Sequence, residues 1–262
     1  MKTIVAITGA TGAIGLGISE LIAENHDYEV VLLCRNEKKG DDAIRYIQKN
    51  SGNQSVKYEI VDLSSWKSIK SLANRWDRPL HVLINNAAIA PRKREVTPEG
   101  IELQFATNVL GYFWMMKAFQ QILINSSPAR IVNVASYWAG DLVMDDLEFK
   151  NRMYDNNQAY RQSKQANRML TVAFAKRLKE YQVSVNSCHP GDVNSSLSKN
   201  LGFGGHQSPK QGARTPVWLA VQPVGQENTG KYFEEKRITG CSFGKDIHAV
   251  EKLYEICEAY CY

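Results

Sequence analysis

Tyr160 and Lys164 stand four residues apart in the run Ala159-Tyr160-Arg161-Gln162-Ser163-Lys164, a spacing that places both side chains on one face of an α-helix. A phenol titrates near 10 and is a poor proton donor or acceptor at neutral pH. An ammonium beside it favours the phenolate and lowers that value toward the range where general acid–base transfer works well. Taken alone, the pair also suits an ordinary solvated helix face, so its meaning depends on what surrounds it. Ser136 is the neighbouring candidate, standing at the end of the apolar run Arg130-Ile131-Val132-Asn133-Val134-Ala135. In open α/β sheets ligands gather outside the C-terminal ends of such strands.

The frame that must position these groups begins at the N-terminus. Thr3-Ile4-Val5-Ala6-Ile7 is a β-branched run with the mark of a buried strand. It ends in Thr8-Gly9-Ala10-Thr11-Gly12-Ala13-Ile14-Gly15, after which Ile14, Ile18, Leu21 and Ile22 recur with helical spacing. A glycine-rich turn between strand and helix lets backbone N–H groups approach a phosphate where the helix dipole favours negative charge. Tyr28-Glu29-Val30-Val31-Leu32-Leu33-Cys34 reads as the second strand and stops at Arg35. In dinucleotide-binding folds a carboxylate at this tip binds a ribose 2′-hydroxyl, whereas an Arg accommodates a 2′-phosphate. With Arg35 and no acid there, NADP(H) is favoured over NAD(H); the plainer alternative is that Arg35 opens a polar loop.

Farther along, residues 37–49 read as a helix and 56–63 as a strand that stops at Asp62-Leu63, with Ser64 able to cap the next helix. A strand over 80–84 leads into Asn85-Asn86-Ala87-Ala88. Small residues there leave room for a flat ligand, and the Asn side chains can tie neighbouring strands. Residues 98–123 read as one long apolar helix containing Asn108, either an incidental polar position or an amide needed at a site. The helix carrying Tyr160 runs to about 181, and a strand over 183–188 ends in His189-Pro190-Gly191. Residues 195–212 are rich in Gly, Ser and Lys, with Leu197, Leu201 and Phe203 interspersed; they suit a mobile flap spanning about 192–214. A helix begins at Thr215, residues 230–233 form a last short strand, and Ile247, Val250, Leu253, Tyr254, Ile256 and Cys257 give a C-terminal helix an apolar face. This alternation predicts a single α/β domain over 1–262, with one parallel sheet of about seven strands and helices on both faces.

Composition narrows the partners. The net charge of +5 is spread among 32 basic and 27 acidic residues, and no basic run interleaves with aromatics. Arg92-Lys93-Arg94 reads as a solvated loop, so no nucleic-acid partner is expected. Cys34, Cys188, Cys241, Cys257 and Cys261 lack metal-ligand spacing, which predicts no metal site and reduced thiols. No window reaches the roughly 18 apolar residues of a membrane span, and the first apolar stretch is too short for a secretory signal. A cytoplasmic location is the expectation.

Over essentially its whole length the chain resembles the short-chain dehydrogenase/reductase superfamily. The features are the Thr8-Gly9 turn, Asp62-Leu63, Asn85-Asn86-Ala87, Asn108, Ser136, Tyr160-x-x-x-Lys164 and Pro190-Gly191, in that order. Within the superfamily it is most similar to retinol-dehydrogenase-like reductases, through Cys34-Arg35-Asn36, Ala159-Tyr160-Arg161-Gln162-Ser163-Lys164-Gln165-Ala166-Asn167, His189-Pro190-Gly191 and Gly230-Lys231-Tyr232-Phe233. It departs from the usual Thr-Gly-x-x-x-Gly-x-Gly turn, since Ala13 replaces the middle glycine and Gly12 precedes it. Glycines at 9, 12 and 15 resemble the epimerase-like branch instead. Ala88 replaces a usual glycine, and Ser195 or Ser196 stands where a threonine often meets the cofactor's carboxamide.

The resemblance implies a Rossmann-type doubly wound sheet and hydride transfer between NADP(H) and a small-molecule carbonyl or alcohol substrate. It implies that Tyr160 exchanges a proton with the substrate oxygen and that Lys164 lowers the phenol's pKa and binds the nicotinamide ribose. Ser136 would donate to the same oxygen, and Asn108 would hold a water relaying protons through Lys164. Cofactor contacts are implied for Gly9, Thr11, Gly12, Ala13, Ile14, Gly15, Arg35, Asp62, Leu63, Asn86, Ala87, Ala88, Tyr160, Lys164, Pro190, Gly191, Val193 and Ser195. Tyr137, Trp138, Met144, Tyr154, Leu197, Leu201 and Phe203 either form an aromatic-rich pocket for a lipophilic carbonyl, such as a retinoid, steroid or xenobiotic, or cover the core. The rivals are a catalytically silent NADP(H) sensor or scaffold and, from the glycine spacing alone, an epimerase or dehydratase on a nucleotide sugar. Long helices around Asn108 and Tyr160 often pair between subunits in this superfamily, which implies a homodimer or homotetramer.

Overall fold

In the computed structural model, which describes residues 2–262, the β-branched runs form one eight-stranded sheet. Its strands are β1 (Thr3–Thr8), β2 (Tyr28–Cys34), β3 (Val56–Ile60), β4 (Val82–Asn85), β5 (Ala129–Val134), β6 (Val183–Cys188), β7 (Tyr232–Glu234) and β8 (Arg237–Thr239). The spatial order is β3-β2-β1-β4-β5-β6-β7-β8, parallel throughout except for the antiparallel β7–β8 hairpin. The helices are α1 (Ala13–Ala23), α2 (Glu37–Ser51), α3 (Trp66–Arg75), α4 (Leu103–Phe105), α5 (Gly111–Ala118), α6 (Gln120–Asn125), α7 (Asn156–Leu178), α8 (Ser196–Asn200), α9 (Pro209–Val221), α10 (Pro223–Glu227) and α11 (Ile247–Glu258).

Successive strand residues point to opposite faces, and here both faces are apolar. Val5, Ile7, Val30 and Leu32 pack with Ile18, Ile47 and Leu219 from α1, α2 and α9. Ile4, Ala6, Val31 and Leu33 lie in the other layer, with Ile69, Phe113, Leu170 and Leu253 from α3, α5, α7 and α11. This two-sided burial is why the strands read as continuous hydrophobic runs. The chain leaves β1 toward β2 and β3 on one side and returns to β4 on the other. A crevice therefore opens at the C-terminal ends of β1 and β4.

Several boundaries differ from the sequence reading. The eighth strand was not expected: Arg237-Ile238-Thr239 is an exposed edge with no apolar alternation to betray it. β3 stops at Ile60 because the Asp62 carboxylate turns the chain, accepting from Ser64 N at 2.9 Å and Ser64 Oγ at 2.7 Å. Ser65, not Ser64, caps α3 through the N–H of Ser68. The expected helix over 98–123 begins only at Leu103, where the Glu102 carboxylate accepts from Gln104 N at 2.8 Å and Phe105 N at 2.6 Å. It then passes through a π-helical turn at Ala106–Leu110 before α5. The 192–214 stretch is not without structure: it carries α8 and the first turn of α9, which starts at Pro209 rather than Thr215. Ser195 and Ser208 cap these helices with reciprocal side-chain bonds. Among the described residues no helix is long and apolar enough to cross a membrane.

Candidate active site

At the crevice, β1 and β4 are stitched by polar side chains. The buried Thr8 Oγ1 accepts from Asn86 N at 2.8 Å and Ala87 N at 3.1 Å, and Asn86 Nδ2 donates to Thr8 O at 2.9 Å. Asn85 ties β4 the other way, donating to Asn133 Oδ1 of β5 at 2.9 Å, while Asn133 donates to Thr171 Oγ1 of α7 at 2.9 Å. Gly9 takes a left-handed φ of 63°, and a Cβ there would meet Ala87 Cα at 2.8 Å. A Cβ at Gly15 would strike Gly9 O and lie 2.8 Å from Asn86 Nδ2. Gly12 leaves the N-terminus of α1 without a side-chain cap, so its first N–H groups are free to meet an anion.

Above this turn lies a cleft of about 580 Å³. It is lined by Gly9, Thr11, Gly12, Ala13, Ile14, Gly15, Arg35, Asp62, Leu63, Asn86, Ala87, Ala88 and Ser195, all expected from sequence. Lys39 lines it as well and was missed. It lies in the first turn of α2, where its N–H donates to the Asn36 cap at 2.9 Å, so a second cation stands near Arg35. The available signal was a basic residue four positions after Arg35 in a helix whose start was already legible.

Ser136, Tyr160 and Lys164 are buried together beyond the end of β5. The Ser136 hydroxyl accepts from Trp138 N at 3.1 Å, and its side chain acts on the Tyr160 phenol by lowering the phenol's pKa. Lys164 Nζ donates to Val134 O at 3.0 Å and lies 5.5 Å from the centre of the Tyr160 ring. Burial pushes the phenol up to about 12, with the Ser136 hydroxyl pulling against it and the Asp192 carboxylate adding to the rise. Burial also brings the Lys164 ammonium down to about 7. The expectation that Lys164 lowers the phenol below its ordinary value is therefore corrected. The ammonium is aimed at a backbone carbonyl, and desolvation dominates the shift of the phenol.

Asn108 is fully buried in the π turn. Its Oδ1 accepts from Ile89 N and its Nδ2 donates to Ile89 O, both at 2.9 Å. The amide is thus not incidental; it clamps the loop that follows Asn86-Ala87-Ala88. Such π turns recur at functional positions. Pro190 and Gly191 do not line the 580 Å³ cleft; they border a second cavity of about 650 Å³ with Tyr137, His189, Asp192 and Arg214. Val193 is buried against Gly205 and Gly212, away from the cleft.

The expected aromatic pocket divides. Trp138 packs on Tyr160 at 6.0 Å and on Phe203 at 5.7 Å between ring centres, and Leu197, Leu201 and Ala90 complete a cap over the phenol. Tyr137 turns instead to His189, edge-on at 4.6 Å. Met144 packs on the main core, and Tyr154 donates to Pro91 O at 3.0 Å, so neither joins that cap.

Comparison with known proteins gives the family. Residues 3–203 match the family model described as short chain dehydrogenase. Mouse retinol dehydrogenase 12 is 33% identical over 271 residues, spanning 97% of this chain and 85% of that protein. Human retinol dehydrogenase 11 is 32% identical over 253 residues, spanning 91% and 79%. Among solved structures, an uncharacterised protein of Mycobacterium paratuberculosis superposes with a TM-score of 0.83 at 25% identity, covering 99% of this chain and 93% of that one.

Proposed function

The chain belongs to the short-chain dehydrogenase family, in its retinol-dehydrogenase-like part, and on that premise we propose that it moves hydride between NADP(H) and a lipophilic or aromatic carbonyl or alcohol. It is an oxidoreductase by family; the cofactor preference and substrate class are the proposal. The observation that carries it is the buried Ser136–Tyr160–Lys164 set, whose apolar cap shares Leu197 with the lining of the glycine-turn cleft. That cleft fits a dinucleotide: no Cβ obstructs the backbone at Gly9 and Gly15, and α1 offers uncapped N–H groups. Bound dihydronicotinamide supplies the hydride.

The residues of the chain do the rest. Gly12 to Gly15 would receive the pyrophosphate, Asp62 and Leu63 would flank the adenine end, and Ala87, Ala88 and Ser195 would border the nicotinamide end. Arg35 and Lys39 would bind the 2′-phosphate. Tyr160, held above its ordinary pKa by burial, is fully protonated at neutral pH and gives its proton to the substrate oxygen. Ser136 donates to the same oxygen, and Lys164 stabilises the phenolate that forms. Asn108 acts by fixing the Ile89 loop. Residues 192–214 form a flap whose Leu197, Leu201 and Phe203 side chains, with Trp138, offer an apolar substrate a matching surface.

Cofactor choice is tested by binding NADPH and NADH to Arg35→Ala/Lys39→Ala. NADPH affinity falls about tenfold or more, about 1.4 kcal/mol per tenfold, while NADH affinity holds. Equal losses for both cofactors, or none, contradict the assignment. Steady-state NADPH consumption with a panel of aldehydes and ketones separates the reductase from a silent sensor.

A further inference from the structure

We propose that Arg168 is the positioning residue that holds Ser136 in place, gripping its peptide from behind the site. The inference rests on the reading of Ser136 as the donor to the substrate oxygen. β5 ends at Val134, and the last ladder-like bond runs from Ala135 N to Cys188 O, so Ser136 lies outside the sheet. Its carbonyl accepts instead from the Arg168 guanidinium, one helical turn beyond Lys164 on α7. Among the described residues no carboxylate pairs with Arg168, although only 7% of it is exposed. The guanidinium lies 3.5 Å from the centre of the Tyr232 ring and 5.4 Å from that of Phe243. Tyr232 is itself fixed by donating to Glu234 at 2.7 Å, and His189 is the other titratable neighbour. A buried cation without a counter-ion is not a stabilising device, since an apolar side chain of similar volume fills such a space at lower cost. What it adds here is a directional grip on Ser136, which is buried with Tyr160 beyond the end of β5.

The test compares Arg168→Met, which keeps volume and removes the donors, with Arg168→Lys, which keeps a donor and the charge. Arg168→Met lowers kcat about tenfold with KM and NADPH affinity unchanged, and Arg168→Lys recovers most of it. In a Ser136→Ala background the same Met substitution costs less than about twofold, because the two act through one group. Crystal structures supply a readout that needs no turnover: the Ser136 peptide moves from its place in Arg168→Met and keeps it in Arg168→Lys. An unmoved Ser136 in Arg168→Met, or losses that add in full with Ser136→Ala, overturns the proposal. Absence of turnover in the unaltered protein would remove the reductase reading alone, while the structures still decide the role of Arg168.

Discussion

At the scale of single residues, the site depends on burial more than on spacing. The four-residue interval put Tyr160 and Lys164 on one face, and that much was legible. Their titration was not, because nothing in the local sequence shows that α8 and Trp138 close over the phenol or that Lys164 lies under two aromatic rings. Lys164 has a folded value of about 7 against an ordinary 10.5. Between those values the unfolded chain holds a proton that the native state has released, so stability rises with pH. The cost of the buried ammonium is therefore full below pH 7 and gone above about 10.5. Lys164→Met should raise Tm at pH 6, by about 2–4 °C per kcal/mol recovered, with the gain shrinking toward pH 10, while turnover disappears. A Tm that falls at pH 6 would show that Lys164 stabilises the fold.

Elements were legible where apolar periodicity set them and illegible where a single polar side chain decided. The glycine-rich turn, its strand and its helix stood in the sequence as they stand in the structure. The helix expected from residue 98 did not, because one buried carboxylate, Glu102, caps it at Leu103, and no local pattern announces the π turn around Asn108. Likewise the Pro190-Gly191 turn faces the 650 Å³ cavity rather than the cleft, a consequence of how the following segment packs. The glycines of the first turn also prove unequal. A Cβ at Gly12 would lie 3.3 Å from Gly9 O, which a small shift accommodates, whereas one at Gly15 collides with that atom. Gly15→Ala should weaken NADPH binding at least about tenfold, with Gly12→Ala much closer to the unaltered protein, as measured by titration of cofactor fluorescence. Equal losses would mean that crowding at Gly15 does not govern the turn.

For the whole molecule, strand–helix alternation foretold the doubly wound sheet, and the comparisons place the chain in the matching family. Quaternary structure did not follow so directly. Pairing through the helices near Asn108 and Tyr160 was the expectation, but α11 lies on α7 and α5 of its own chain. Val250, Leu253, Tyr254 and Cys257 are buried there, and Tyr254 meets Phe113 at 5.0 Å and Phe174 at 5.4 Å. Lys117–Glu258 at 2.5 Å and Arg177–Glu251 secure the edges. The face of α5 and α7 under α11 is already covered, so a homodimer or homotetramer of the 29.5 kDa chain should pair through another face, as light scattering coupled to size exclusion and cross-linking would show. A dimer paired through the covered face would show α11 displaced.

The most direct test of the central claim is Tyr160→Phe, with NADPH binding and carbonyl turnover measured on the same preparation. Turnover should fall by about 10² or more with cofactor affinity unchanged. A phenylalanine variant that reduces the same carbonyl at close to the original rate would contradict the claim.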